Sequence, residues 1–283
     1  MQKINQTVLM SGVDYFSVEE LNPYSHASDQ PDNEIATREF LSIKKALESS
    51  GVKVIKTDAP KDCQDGIYTA NWGLCRGDKV VLSSLVNKRQ PEQATAKKVL
   101  RSLGKTTFDS PYPFSGQGDA LPCGNLLFIG QTYRTDQRIH KFIADKLGFK
   151  VISLQTIPLL DEDGVPVVNR VTGFPDSYFY DLDLALSVLT PSLIAWCPEA
   201  FTVESQTTIR QLDINRIEVS LDEALKGFAC NLVSTGETVV MSNHAPQFKS
   251  EVEAHGLKTI TPEISELAKG GGYIRCTTLT LDN

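Results

Sequence analysis

The sequence predicts an α/β domain, residues 1–283, assembled from five copies of one ββαβ-like unit. Three observations carry that prediction. A helical stretch, a glycine and a short β-rich run recur along the chain, a strand candidate precedes each helix, and a polar residue returns at near-regular spacing in a second strand-like segment. Such a repeat implies units that cannot bury their apolar faces alone and do so against their neighbours.

The helix-to-strand piece spans Leu47–Lys56, Val99–Phe108, Ile143–Ile152 and Val252–Ile260, with a looser copy at Ile209–Glu218. Helical spacing is clear in Phe40, Ile43 and Leu47 and again in Ile139, Ile143 and Leu147. Gly51, Gly104, Gly148 and Gly256 then stand where a helix ends in a left-handed residue, and Asp213 takes that place in the loose copy. The strand candidates before the helices are Val8–Met10, Lys79–Leu82, Leu126–Ile129, Leu193–Trp196 and Thr238–Met241.

The second strand-like segments are Thr69–Gly73, Gly116–Ala120, Tyr180–Ala185, Phe228–Leu232 and Tyr273–Thr277. They carry Asn71, Asp119, Asp183, Asn231 and Cys276, at successive separations of 48, 64, 48 and 45 residues. The long interval contains Leu159–Gly164, an excursion whose Asp-Gly pair favours a tight turn. The five polar residues can converge only if the units close into a ring.

The 283 residues include 28 Lys+Arg and 35 Asp+Glu, a formal charge of −7, and 41% belong to the hydrophobic class. A core can form at this size without staples, and the mild acidity argues against a nucleic-acid platform. No apolar run approaches the roughly 20 residues of a membrane span, and Met1–Gly12 lacks the pattern of a secretory signal. Six scattered cysteines without a C-x-x-C pair fit a reducing, cytoplasmic setting. No metal or cofactor is implied. His26, His140, His244 and His255 are isolated and suit surface or capping roles. Gly104-Lys-Thr-Thr107 is no P-loop, because Val99 stands where its first glycine would be. The patch Lys88–Glu92 reads as a surface helix entry, and Trp72 and Trp196 as core residues.

Four segments together, Asp65–Asn71, Phe114–Ala120, Tyr178–Asp183 and Lys269–Cys276, resemble the guanidino-group-modifying enzymes. That superfamily comprises arginine deiminases, dimethylarginine dimethylaminohydrolases, amidinotransferases and arginine dihydrolases. The resemblance runs along nearly the whole chain and implies a five-bladed αβ propeller, the pentein fold, in agreement with the repeat count. It implies that Cys276, behind Gly270-Gly-Gly272, is the nucleophile, a role suited to a thiolate once its pKa is lowered by Lys269, Arg275 or the substrate. It places Asp183, Asn71, Asp119 and Asn22 around the substrate, and Arg134 against a substrate carboxylate, which a planar guanidinium grips well.

Two positions depart from the family pattern. Asp181 replaces the general acid/base histidine of the His-x-Asp motif, and Ser115 replaces a glutamate that binds guanidino nitrogens. An ordinary aspartate accepts a proton readily but is a poor acid near neutrality unless its surroundings raise its proton affinity. The expected activity is hydrolysis of a C–N bond in a small guanidino compound or linear amidine, through a covalent thiouronium on Cys276, with Asp181 as the substituted proton-transfer group. The alternatives are an amidinotransferase and a noncatalytic guanidine-binding protein. No nucleic acid or membrane partner is expected, and the fold admits a homo-oligomer.

Overall fold

The computed structural model describes residues 2–131 and 133–282. The chain begins with β1 (Thr7–Ser11), α1 (Asn33–Ser49) and β2 (Lys53–Thr57), followed by β3 (Gly73–Arg76), β4 (Lys79–Leu82), α2 (Glu92–Ser102) and β5 (Thr106–Phe108). The third unit is β6 (Ala120–Cys123), β7 (Leu126–Gly130), α3 (Ile139–Leu147) and β8 (Lys150–Leu154). The fourth is β9 (Leu186–Thr190), β10 (Leu193–Trp196), α4 (Val203–Gln211) and β11 (Asn215–Glu218). After α5 (Leu221–Gly227) come β12 (Val233–Ser234), β13 (Thr238–Val240), α6 (Pro246–Ala254), β14 (Lys258–Ile260) and finally β15 (Leu279–Thr280).

These strands form five separate three-stranded sheets, β15-β1-β2, β3-β4-β5, β6-β7-β8, β9-β10-β11 and β12-β13-β14. In each, the first two strands are antiparallel and the last two parallel. A parallel pair needs a crossover, and one helix of each unit supplies it. The architecture is the five-bladed αβ propeller. Its first blade is completed by the last strand, with Val8 opposite Thr280 and Leu9 opposite Leu279.

The helical faces predicted from spacing are the buried ones. Phe40, Ile43 and Leu47 of α1 and Ile139, Ile143 and Leu147 of α3 all lie in the core. Asp32 caps α1 by accepting from the amides of Glu34 and Ile35, at 2.9 and 3.0 Å. Gly51, Gly104, Gly148 and Gly256 have φ of 90°, 80°, 74° and 82°, the left-handed values expected after a helix. Asp213 does not follow them. Leu212 ends α4 in an extended conformation, and Asp213 is not among the non-glycine residues with positive φ.

Other expectations need correction. The polar residues precede the inner strands rather than lying within them: Asn71, Gln117 and Asp183 sit on single 3-10 turns, Asp119 just after one, and Asn231 and Cys276 in tight turns. A turn frees the side chain from strand alternation. Lys88–Glu92 is the entry to α2 and exposes Lys88, Gln90 and Pro91 as expected, but Arg89 and Glu92 are buried. His140 is buried too, its Nε2 3.0 Å from the Gly130 carbonyl. Trp72 and Trp196 are core residues as expected, and all six cysteines are unpaired. The excursion between β8 and β9 turns at Asp161–Gly164, where the Asp161 amide meets the Val165 carbonyl at 2.9 Å. Among the described residues no helix is long and apolar enough to cross a membrane.

Candidate active site

The inner turns of different blades bring their polar side chains together. Cys276 is 3% exposed, and its Sγ donates to Asp183 Oδ2 at 3.3 Å. Asn231, from the neighbouring unit, holds the cysteine at two points. Its Nδ2 donates to Sγ at 3.1 Å and its Oδ1 accepts the Cys276 amide at 3.1 Å. The Ala70 amide binds the Cys276 carbonyl at 3.1 Å, which ties the cysteine turn to the turn bearing Asn71.

Asn71 is the hub of the opposite side. Its Nδ2 lies 2.8 Å from Asp181 Oδ2, 2.9 Å from Ser115 Oγ and 2.8 Å from the Ser115 carbonyl. Its Oδ1 accepts from Arg89 Nη1 at 2.8 Å. Arg89 is itself held in a bidentate pair with Glu92, at 2.8 and 2.9 Å, and Glu92 also accepts from Trp72 Nε1 at 3.2 Å. Asp65 completes this buried group, 3.7 Å from Arg89 Nε.

Asp119 accepts the Leu182 amide at 3.0 Å, so it supports the turn that carries Asp181 and Asp183. A side chain on Gly130 could not coexist with it, because a Cβ there would lie 2.0 Å from Asp119 Oδ1. Gly118 is equally constrained, 2.4 Å from Asn71 Nδ2 and 2.8 Å from Asp181 Oδ2 on the same measure.

A glycine segment walls the other flank. Asn22 Nδ2 donates to the Gly270 carbonyl at 3.0 Å, Tyr180 Oη to that of Gly271 at 2.7 Å, and Tyr68 Oη to that of Leu267 at 2.6 Å. Arg134 stacks 4.0 Å from the centre of the Tyr180 ring and donates to the Leu21 carbonyl at 2.9 Å. With Arg89 and Ser115 it also lines a cavity of about 10 Å³.

Burial governs the electrostatics. It pushes the Asp183 carboxyl well above its usual range, with the neighbouring Asp181 adding to the effect. Asp119 is raised for the same two reasons. The Cys276 thiol is raised by burial and then by Asp183. Lys269 gives the thiol no help, because it pairs at the surface with Asp29 and Glu266, both at 2.9 Å. Two carboxylate oxygens, Asp181 Oδ1 and Asp183 Oδ1, are buried with no hydrogen-bond partner among the described residues. Uncompensated acceptors of this kind are costly, and a planar cation with several N–H groups would satisfy both.

Of the residues expected from sequence, Cys276, Asp183, Asp181, Asn71 and Ser115 gather here, with Asp119 directly behind them. Asn22 and Arg134 stand at the rim and are engaged by main-chain carbonyls. Arg89, Glu92 and Tyr180 were missed. Asn231 was noted only as a member of the periodic series, yet that periodicity was a sufficient signal for its place beside the cysteine.

Five blades converging on a buried cysteine and paired aspartates define a guanidino-group-modifying pentein. Residues 19–282 match the family model described as N,N dimethylarginine dimethylhydrolase, eukaryotic, and the chain belongs to that family. It is 30% identical over 265 residues to the N(G),N(G)-dimethylarginine dimethylaminohydrolase of Mycobacterium tuberculosis, covering 92% of this chain and 80% of that protein. It is 29% identical over 284 residues to the bifunctional arginine dihydrolase/ornithine cyclodeaminase ArgZ of Synechocystis, covering 96% of this chain but only 37% of that larger protein. The N-terminal domain of ArgZ bound to substrate superposes with a TM-score of 0.87 at 27% identity, covering 98% of both chains. The dimethylarginine dimethylaminohydrolase of Pseudomonas aeruginosa, solved as a cysteine-to-serine mutant with citrulline, shares the fold with a TM-score of 0.75 at 18% identity, over 99% of both chains. The named relatives are hydrolases of guanidino compounds.

Proposed function

We propose that this protein is a single-domain hydrolase that cleaves a C–N bond of an arginine-like guanidino compound through a covalent intermediate on Cys276. The observation that carries the proposal is the pair of unpartnered oxygens, Asp181 Oδ1 and Asp183 Oδ1, buried in the same cluster as the thiol. A guanidinium bound between them would offer N–H groups to both and present its carbon to Sγ. Its positive charge would also favour the thiolate that burial now opposes.

In the first half-reaction the thiol proton passes to Asp183 Oδ2 and sulfur adds to the amidine carbon. The C–N bond then breaks, and the departing amine takes the proton that left the thiol, relayed from Asp183 by Asp181, which stands where relatives carry histidine. In the second half, Asp181 accepts a proton from water as the oxygen adds to the same carbon. The C–S bond breaks, the thiol is regenerated and a ureido product leaves. Asn71, itself bonded to Ser115, holds Asp181 in place, and Arg134 exchanges the Leu21 carbonyl for a substrate carboxylate.

The test is intact-protein mass spectrometry with arginine, N-methylated arginines, agmatine and guanidinoacetate, on the wild type and Cys276→Ser. A mass adduct or a consumed compound that requires Cys276 supports the proposal, and full turnover by Cys276→Ser sinks the covalent route. Product formation that depends on an added amine points instead to an amidinotransferase. The Asp181 substitution favours one further reading, a guanidine-binding protein without turnover, whose mark is a ligand-dependent thermal shift with no compound consumed.

A further inference from the structure

Arg275 immediately precedes the nucleophile, yet its side chain belongs to a different environment. It is 5% exposed and lines a small cavity of about 20 Å³ together with Leu121, Pro122, Leu186, Ser187 and Cys230. Nη1 donates to Thr280 Oγ1 at 2.8 Å and Nη2 to Gln117 Oε1 at 2.9 Å. A guanidinium carries five N–H donors, so most of them have no acceptor among the described residues. Both acceptors are neutral, and among the described residues no carboxylate lies within ion-pair distance of Arg275. Arg89, the other deeply buried arginine, has Glu92 in bidentate contact.

A buried charge normally has an opposite charge beside it. We propose that the cavity at Arg275 is a binding site for a small monovalent anion of halide size, which supplies the missing counter-charge. The volume suits one halide or one to two waters and is too small for a phosphate or a substrate-sized carboxylate. The walls are of mixed polarity, but the Asn5 amide among them already donates to the Ser234 carbonyl at 2.8 Å and accepts from Thr280 Oγ1 at 2.6 Å, which leaves the anion to Arg275 and Ser187. Ser187 in the same wall has a buried hydroxyl without a partner, a second donor free to turn toward the ion. Burial works against the charge of Arg275, and Asp183 and Cys276 only partly support it. The site is independent of the catalytic reaction proposed above, since it needs no guanidino substrate.

Bromide is the probe. Crystals of the wild-type protein soaked in sodium bromide should show an anomalous peak in the cavity within hydrogen-bond distance of the Arg275 guanidinium. In solution, bromide at about ten times its dissociation constant should raise the Tm by roughly 2–5 °C over sodium gluconate at the same ionic strength. Arg275→Gln should lose that difference. If that variant fails to fold, Ser187→Ala provides the second comparison, with a reduced bromide response expected. A cavity holding only water in the bromide-soaked crystal overturns the proposal, as does an equal Tm in bromide and gluconate.

Discussion

Arg89 donates a 2.8 Å hydrogen bond to Oδ1 of Asn71, and that contact decides which way the Asn71 amide faces. A guanidinium has no acceptor, so the amide oxygen must point at Arg89. The NH₂ group then turns toward Ser115 and Asp181. The charge that orients the amide is balanced mainly by Glu92, which takes both of its strongest hydrogen bonds. Replacing Arg89 with Met should therefore do two kinds of damage. It strands Glu92 and Asp65 without a cation, at a cost of about 3–5 kcal/mol for a broken buried pair, and it frees the amide to flip. A drop in the urea midpoint checks the first effect. Arg89→Lys checks the second, because a point charge cannot serve Glu92 and Asn71 together. Turnover should fall in it by more than stability accounts for.

Burial outweighs the attraction of Arg89 and, more weakly, of Arg134 at Asp65, and pushes its carboxyl up to about 6. The folded state therefore keeps a proton that the unfolded chain releases near pH 4. Stability contributed at that site is present below pH 4 and is lost as pH rises toward 6. Asp119 and Asp183, also raised, add to the slope in the same direction. Asp65→Asn should flatten the decline by about 2–3 kcal/mol across that window. Denaturant titrations at pH 4, 5, 6 and 7 measure it, and an unchanged slope would rule the assignment out.

The thiol of Cys276 is raised by burial and by Asp183, so the ligand-free protein should resist alkylation near neutrality. Asp183→Asn removes the negative charge. The pH midpoint of iodoacetamide labelling at Cys276, followed by peptide mapping, should then move down. A midpoint that stays or rises would show that Asp183 acts on the thiol mainly through its hydrogen bond.

Gly118 has no room for a side chain. Its Cβ would press on Asn71 Nδ2 and Asp181 Oδ2, so Gly118→Ala should push those two apart. The expected cost is about 1–3 kcal/mol in stability, with turnover falling at least tenfold. A variant with wild-type kinetics would mean that the Asn71–Asp181 contact does not matter to the chemistry.

The blades were legible because their punctuation is chemically narrow. Gly51, Gly104, Gly148 and Gly256 occupy left-handed positions that side chains rarely tolerate, so the backbone requirement is written in the residue type. Asp213 broke the series because α4 leaves in an extended conformation and needs no such residue. Much of the site was legible for a related reason, since equivalent turns of equivalent units must meet if the ring closes. Arg89 and Glu92 were not. Opposite charges three apart at a helix entry look alike in sequence whether they face water or the core, and only the packing of α2 beneath Asn71 tells the two cases apart.

The seam of the propeller has a consequence for when the protein becomes reactive. β15 closes the ring by pairing with β1, and Cys276 lies just before β15. Until that final strand docks, Asn231 and Asp183 have no thiol to hold. The pairing of β15 with β1 therefore completes both the ring and the surroundings of Cys276, and contacts so far apart in sequence carry a large closure entropy. A chain with β15 undocked would leave Cys276 without Asn231 and Asp183, so the closed ring and the ordered cysteine are a single product of folding.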